Sequence, residues 1–592
     1  MSSIPVADWA VIAAYFAGMG WIAWLVRRRS QTTEGYFLGS RSMPGWAVGF
    51  SIAGTAISSI TFMALPADAF KTAWLRMLPN FVLPLGVLAS SRFFLPFYRD
   101  GRTTTAFEFL EARFGASTRL YGAFAFVVGQ LLRISLILFL LGQLTHELTG
   151  LSPVASIVVS GLFVGAYTAV GGIEAVVWTD VAETVVLTLG GAACLAIVVE
   201  KLPGGLAEVL TTAWAHGKLS FSDLGRDGAL HPTALGLTLT EKSVSMMLLV
   251  GLSHWLAEYA CNQNMVQKYC AAASTREARK ALWIGCGWMV PLWIGFQLLG
   301  TALWVFYQRF PTPTSTGILA GTMTAERIVP HFVVSELPVG FKGLVVAGVL
   351  AAAMSTLDSS LNAIATVGVV DVYRRHVVKQ GDDGHYLRVA KALSWLASAG
   401  MIAGAILLLD ARTKTLEDAA ITLIALTSGG LLGLYLLGFL TRRGDGRSAA
   451  LAIAATLTLS LYRALSRTPW LPARLHVASL DAVDGYYIAL GGVHAPTLVV
   501  GDHAPPAARG WRRAFDRLGD GRALDDLDAR GGAVPARDRR GGHRREREGG
   551  QRQENRPVPA EVHVRSFVSG QSVARGPAYN PPPSLHERRE VS

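Results

Sequence analysis

Ala352-Ala353-Met354-Ser355-Thr356-Leu357-Asp358-Ser359-Ser360-Leu361-Asn362 sits inside an apolar run from Phe341 to Val370, long enough to cross a bilayer. Hydroxyls and a carboxylate at that depth mark a site or a path, because hydrocarbon offers them no partner. Ser355 and Thr356 follow Ala352 by three and four positions, so on a helix all three share a face, one turn apart. Three oxygens aimed one way, with no obligatory full charge, suit a small hard cation better than a soft metal. The competing reading is that the hydroxyls back-bond to the preceding turn or join helices. Asp358, Ser359 and Asn362 on neighbouring faces tip the balance toward a site.

The surrounding chain explains how such a run can exist. Of 592 residues, 51% are hydrophobic and only 16% charged, against about 25% charged in a soluble protein. The apolar runs are continuous rather than alternating, which predicts an all-α polytopic membrane protein and not a barrel. Spans are expected at 7–26, 46–69, 77–98, 119–146, 153–171, 175–199, 238–260, 281–307, 338–370, 389–410, 415–441 and 447–465, with a weak thirteenth at 484–500. The net charge of +12 is a matter of orientation rather than of nucleic-acid binding. Arg27 to Arg29, then Arg99, Arg102, Arg113 and Arg119, then Lys268, Arg276, Arg279 and Lys280, then Arg374, Arg375 and Lys379, then Arg442 and Arg443, all fall on one side. The positive-inside rule makes that side cytoplasmic and puts the N-terminus outside. The first run has no basic residue before it, so it reads as a span and not a cleavable signal. Cys194, Cys261, Cys270 and Cys286 are scattered and imply neither disulfides nor a transition-metal site.

Three further features carry chemistry. Gly49 to Met63 in the second span holds five hydroxyls and Gly54 within eleven residues, which weakens a helix in mid-membrane. A broken helix there is tolerated where freed carbonyls face a cavity, as in secondary transporters, and tight small-residue packing is the alternative. Tyr167 to Glu183 joins two spans through Gly171-Gly172. Asp180 and Glu183 lie one turn apart beyond it, either as wetted interface carboxylates or at the mouth of an ion path. Arg133 falls near mid-membrane, where a lipid-facing position costs roughly 2.5–3.5 kcal/mol. It therefore faces the bundle interior, paired with a protein carboxylate such as Asp68 or with an anionic substrate. From 501 onward the chain is rich in Arg, Gly, Pro and Ala and has no lysine. That reads as a disordered cytoplasmic tail, and its abrupt onset at about 491 also fits a shifted reading frame.

Residues 35–440 resemble the solute:sodium symporter family. The likeness rests on Gly35-Tyr36-Phe37-Leu38-Gly39, on Tyr167 to Asp180, on Asn262-Gln263-Asn264-Met265-Val266-Gln267-Lys268-Tyr269, and on Ala352 to Asn362 followed by Asp371-Val372-Tyr373. The resemblance implies a LeuT-type inverted-repeat fold of two five-helix halves, 46–200 and 238–441. Residues 1–45 would lead, 201–237 would form an extracytoplasmic loop, and 442–500 would add further spans. It also implies a principal sodium site at the carbonyls of Gly54, Ile57 and Ala352 and the hydroxyls of Ser355 and Thr356. A second sodium site would map onto Asp180, Ser355, Asp358 and Ser359, with Asp358 replacing a hydroxyl residue. The site motifs are most similar to those of bacterial sialic acid symporters. In those, the positions of Ser58, Thr61 and Arg133 hold the sugar acid, and Asn80 stands where they have a glutamine. Ala56 for threonine and Arg76 for an aromatic are departures.

The expectation is therefore a sodium-driven symporter of the bacterial inner membrane for an anionic sugar or carboxylate, with sodium and lipid as partners, no nucleic acid and no obligatory protein partner. A neutral sugar or polyol is the alternative substrate, with Arg133 held in a salt bridge. A membrane sensor with a symporter-like input module is the rival from another class, and it lacks a signalling domain after the last span. An enzyme is not indicated.

Overall fold

The computed structural model describes residues 5–409 apart from 29, 102, 226 and 239, then 430–441, 444–466 and 476–477. The elements that position the site are α1 Val6–Val26, α2 Gly45–Ala56, α3 Ser59–Lys71, α4 Ala116–Thr149, α5 Pro153–Glu200, α6 Val244–Cys261, α7 Gln263–Ala271, α8 Thr275–Arg309, α9 Phe341–Val367, α10 Asp383–Leu407, α11 Leu431–Leu440 and α12 Gly446–Ser466. Among the described residues, eight helices are long and apolar enough to span, and α2 with α3 makes a ninth, bent by 55°. Residues 415–429 of the expected eleventh span, the weak span at 484–500 and the tail from 501 lie outside the described residues.

The second span is broken where the hydroxyl-rich stretch predicts. α2 ends at Ala56, Ile57 adopts an extended conformation (φ −103°, ψ 101°), and Ser58 begins a new helix. The two expected spans, 153–171 and 175–199, follow one another directly as two helices within Pro153–Glu200 (α5), separated by a kink rather than a loop. Its single bend is at Gly172 (φ 60°, ψ −161°), a backbone region open essentially to glycine alone. A Cβ there would also stand 2.7 Å from the carbonyl oxygen of Tyr36.

α9 is the centre of the bundle. Its apolar window is 94% buried, against 22% for α1 and 33% for α10, so the latter two face lipid. It packs against α5, α1, α4, α10 and α2. Small residues such as Gly343, Gly348 and Ala351 to Ala353 let the neighbours approach closely. Asp8 on α1 tethers the start of α9, its Oδ1 accepting from the backbone N–H groups of Gly340 (2.8 Å) and Gly343 (2.6 Å).

The four sequence motifs meet at one end of this core. Tyr36 donates its hydroxyl to the carbonyl of Ala169 (3.2 Å). Gln267 on α7 donates to the carbonyl of Phe37 (2.7 Å) and to Asn362 Oδ1 (2.7 Å) and Thr366 Oγ1 (2.9 Å) on α9. Asn264 reaches Ser360 (3.3 Å), which in turn donates to Gln130 on α4 (3.0 Å). Asp371, just past α9, accepts from Thr105 and Arg119. At the opposite end, the expected loop at 201–237 contains the helix Gly205–Ala215 and an antiparallel hairpin pairing Ser222–Leu224 with Leu230–Pro232. From this loop Lys218 donates to the carbonyls of Phe70 (2.9 Å) and Thr72, clamping the end of α3.

Candidate functional site

The break between α2 and α3 lies directly against α9. Ser355 Oγ donates to the carbonyl of Gly54 (2.9 Å), and Thr356 Oγ1 donates to the carbonyl of Thr55 (3.2 Å). Both hydroxyls also lie near the carbonyl of Ala352, at 3.4 and 3.5 Å. Gly54 also lets α5 close in on the break, since a Cβ there would meet Thr184 Oγ1 at 2.6 Å. No backbone N–H among the described residues bonds the carbonyl of Ile57. All five residues expected to seat the principal cation thus fall at one crossing of two elements, and all are buried. A hydroxyl keeps two lone pairs beside its O–H. The side chains that now donate to Gly54 and Thr55 can therefore present oxygen to a cation together with those carbonyls.

The residues expected for the second cation, Asp180, Ser355, Asp358 and Ser359, are all buried along α5 and α9. Asp180 and Glu183 are not wetted interface groups: they are 0% and 1% exposed. Asp180 Oδ2 accepts from Ser51 Oγ (2.5 Å), from Lys268 Nζ (2.7 Å) and from Ser359 Oγ at 3.5 Å. Asp358 turns elsewhere: its Oδ2 accepts from Tyr167 (3.0 Å) and Thr179 (3.2 Å), and its Oδ1 from the N–H of Ser359 (2.5 Å). Ser355 faces Gly54 rather than Asp180. Of the four residues, Ser359 bonds both carboxylates, its hydroxyl reaching Asp180 and its N–H reaching Asp358.

Lys268 is the residue that the sequence misplaced. Counted there as a charge of a cytoplasmic loop, it is 1% exposed and penetrates the bundle from α7. Its ammonium donates to the carbonyl of Ser51 (2.9 Å) and to Thr55 Oγ1 besides Asp180. The available signal was its place at the end of the Asn262-to-Tyr269 motif, whose other side chains point inward. Glu183, read with Asp180 as either a wetted interface carboxylate or the mouth of an ion path, is buried. Among the described residues, neither of its carboxylate oxygens has a hydrogen-bond partner.

The substrate residues surround the same break. Ser58 caps the gap, 7% exposed, and Thr61 lies one turn into α3. Asn80 is half-buried and makes only a weak contact with Met77 Sδ (3.9 Å). Arg133 is half-buried on α4. Its suggested structural partner is engaged elsewhere: Asp68 is ion-paired with Arg76 at 2.9 Å. Among the described residues no carboxylate forms an ion pair with Arg133.

A helical bundle whose spans break at mid-length beside a seat of carbonyl and hydroxyl oxygens is the architecture of a secondary transporter. A model of the sodium:solute symporter family matches residues 36–440. The sodium/sialic acid symporter SiaT of Proteus mirabilis is 30% identical over 454 residues, 76% of this chain and 88% of SiaT. The sodium/sialic acid symporter NanT of Aliivibrio fischeri is 28% identical over 462 residues, 78% of this chain and 88% of NanT. A solved Na+-coupled sialic acid symporter, substrate-bound and outward-open, superposes with a TM-score of 0.74 at 26% identity, covering 85% of this chain and 99% of that one. The chain belongs to the sodium:solute symporter family. Its fold is the LeuT-type one, and it is a sodium-coupled membrane transporter, not an enzyme.

Proposed function

We propose that this symporter imports an anionic sugar or carboxylate of the sialic acid class across a bacterial inner membrane, with its N-terminus outside. The observation that carries the substrate class is Arg133. It stands half-buried on α4, the one basic residue of that helix's interior, while Asp68 is held by Arg76. A guanidinium binds a carboxylate in a bidentate fork, and the names of the two sialic acid symporters similar to this chain agree with it. Ser58, Thr61 and Asn80 would complete the pocket at the broken helix.

Sodium binds first, at Gly54, Ile57, Ala352, Ser355 and Thr356, and draws the α2–α3 break onto α9. Substrate follows beside it, and the bundle then rocks inward. A monoanion entering with one sodium carries no net charge and gains nothing from the membrane potential. A second sodium would add about 2.3 kcal/mol per 100 mV. Asp180, Ser355, Asp358 and Ser359 are the residues proposed for it, Asp180 and Ser359 being the pair already in contact.

The test is uptake into proteoliposomes under an imposed sodium gradient, with labelled sialic acids, neutral sugars, amino acids and short carboxylates as the panel. Sodium-dependent uptake of an acid, inhibited by other acids and not by its methyl ester, is the expected result. Preferential uptake of a neutral sugar would overturn the substrate assignment and leave the sodium assignment standing.

A further inference from the structure

Two ionisable residues inside a span have no role in the reading above. His254 and Glu258 stand one helical turn apart on α6. Ionisable groups within membrane helices are costly and mark function. Leu249, 54% exposed, shows the lipid face of α6. Glu258 follows it by nine positions, two and a half turns, and so stands on the opposite side of the helix. His254, five positions after Leu249, also lies away from that face. Both are nonetheless only half-buried. The space they see is therefore inside the bundle.

That space borders the residues proposed for the substrate. Gly251, Trp255 and Glu258 share one face of α6 by their spacing. Gly251 lies so close to Pro79 that a Cβ would stand 2.5 Å from its carbonyl oxygen, and Trp255 Nε1 donates to that carbonyl (2.9 Å). Asn80 is the next residue. The His254 ring is within electrostatic reach of both Glu258 and Arg133. Among the described residues Glu258 enters no ion pair: Oε2 accepts from Asn262 Nδ2 (2.8 Å), and no donor reaches Oε1.

A cavity that offers a guanidinium from α4 and a carboxylate with an imidazole from α6 matches a molecule bearing both charges. A simple anion would gain from Arg133 and be repelled by Glu258. A neutral polyol would leave both charges unpaired. Resting on the carboxylate reading of Arg133, we propose that Glu258, with His254 beside it, is a specificity-determining residue that takes a protonated amine, so that the substrate is a zwitterion carrying a carboxylate and an ammonium. A neutral imidazole adds an acceptor nitrogen for the same ammonium. With no net charge on the substrate, a single sodium makes transport electrogenic.

The test is uptake into proteoliposomes under a sodium gradient, with amino acids and a sialic acid each supplied with the amine free and with it acetylated. Half-saturation should come at a concentration at least about tenfold lower for the free amine, as for a charge-assisted hydrogen bond. Glu258→Gln should abolish that preference while carrying the acetylated acids no less well, a split that a merely structural residue would not give. His254→Gln should reduce the preference about two- to tenfold, the range of one hydrogen bond, and keeps the test usable if Glu258→Gln fails to fold. Arg133→Lys should weaken both forms. Equal handling of both forms by the parent overturns the proposal, as does an equal loss for both forms in Glu258→Gln and His254→Gln, and either result leaves the carboxylate reading standing. Uptake of neutral sugars with no acid carried overturns both.

Discussion

Lys268 Nζ lies 2.7 Å from Asp180 Oδ2, with both side chains sealed from solvent. The ammonium also donates to the carbonyl of Ser51 and to Thr55 on α2, so one side chain from α7 joins the broken helix to the carboxylate of α5. The pair thus bears on Thr55, whose carbonyl accepts from Thr356 at the expected principal sodium site. A buried ion pair of this kind contributes little net stability, but removing one partner strands the other.

Lys268→Gln should lower stability by roughly 3–5 kcal/mol, because it leaves Asp180, Glu183 and Asp358 with no cation. Asp180→Asn should be milder, since Lys268 keeps two carboxylates close by. The double variant should recover part of the Lys268→Gln loss. Thermal melts of the four purified proteins decide it. Equal losses in both single variants, with no recovery in the double, would mean that the pair is not the unit of stability here.

Ser355→Ala and Thr356→Ala each remove one oxygen from the crossing of α9 and the α2–α3 break. If that oxygen binds the coupling ion, the loss is of the size of one hydrogen bond, about 0.5–1.5 kcal/mol. The sodium concentration for half-maximal uptake should rise roughly two- to tenfold, with membrane insertion unchanged. Sodium curves that overlay the parent's in both variants would remove these residues from the site.

Arg133→Lys keeps the charge and loses the fork. Affinity for the anionic substrate should fall by about 1.5–3 kcal/mol, the range for a charge-assisted bond, and Arg133→Ala should fall further. Thermal stability should hold in both, because no carboxylate of the described residues depends on this guanidinium. An alanine variant that melts early, with substrate affinity intact, would favour a structural arginine and a neutral substrate.

Gly172→Ala meets two obstacles at once. Its backbone conformation costs a non-glycine residue about 1–3 kcal/mol, and the added methyl would press on the carbonyl oxygen of Tyr36 at 2.7 Å. The ring carbon Cδ2 of Tyr36 stands as close, at 2.8 Å, but the main-chain contact and the backbone conformation persist in Tyr36→Ala, which should therefore not restore full stability. Rescue of melting temperature in that double variant would show that the ring, not the main chain, sets the constraint.

Much of this protein was legible in one dimension. Runs of twenty apolar residues admit no structure but a membrane helix, since only helices satisfy their own backbone in lipid. Gly54 with its neighbouring hydroxyls announced the broken span. Ala352, Ser355 and Thr356 share a face by helical spacing alone. Those features are local, and local geometry follows from spacing. The tertiary structure decided what spacing cannot reach. Gly171-Gly172 breaks one helix and starts the next as its spacing suggested, but that Tyr36, 136 positions earlier in the chain, packs into the kink was not readable from the sequence. Lys268 counted as a surface charge until α7 turned it inward onto Asp180, a partner 88 residues away. Asp68 looked available to Arg133 until Arg76 was found beside it. Asp358 gained hydrogen bonds from Tyr167 and Thr179, partners that no spacing announced. Charged groups in a membrane protein settle wherever a counter-charge or donor is brought within about 3 Å. The packing of distant helices makes that choice, and no periodicity in the sequence records it.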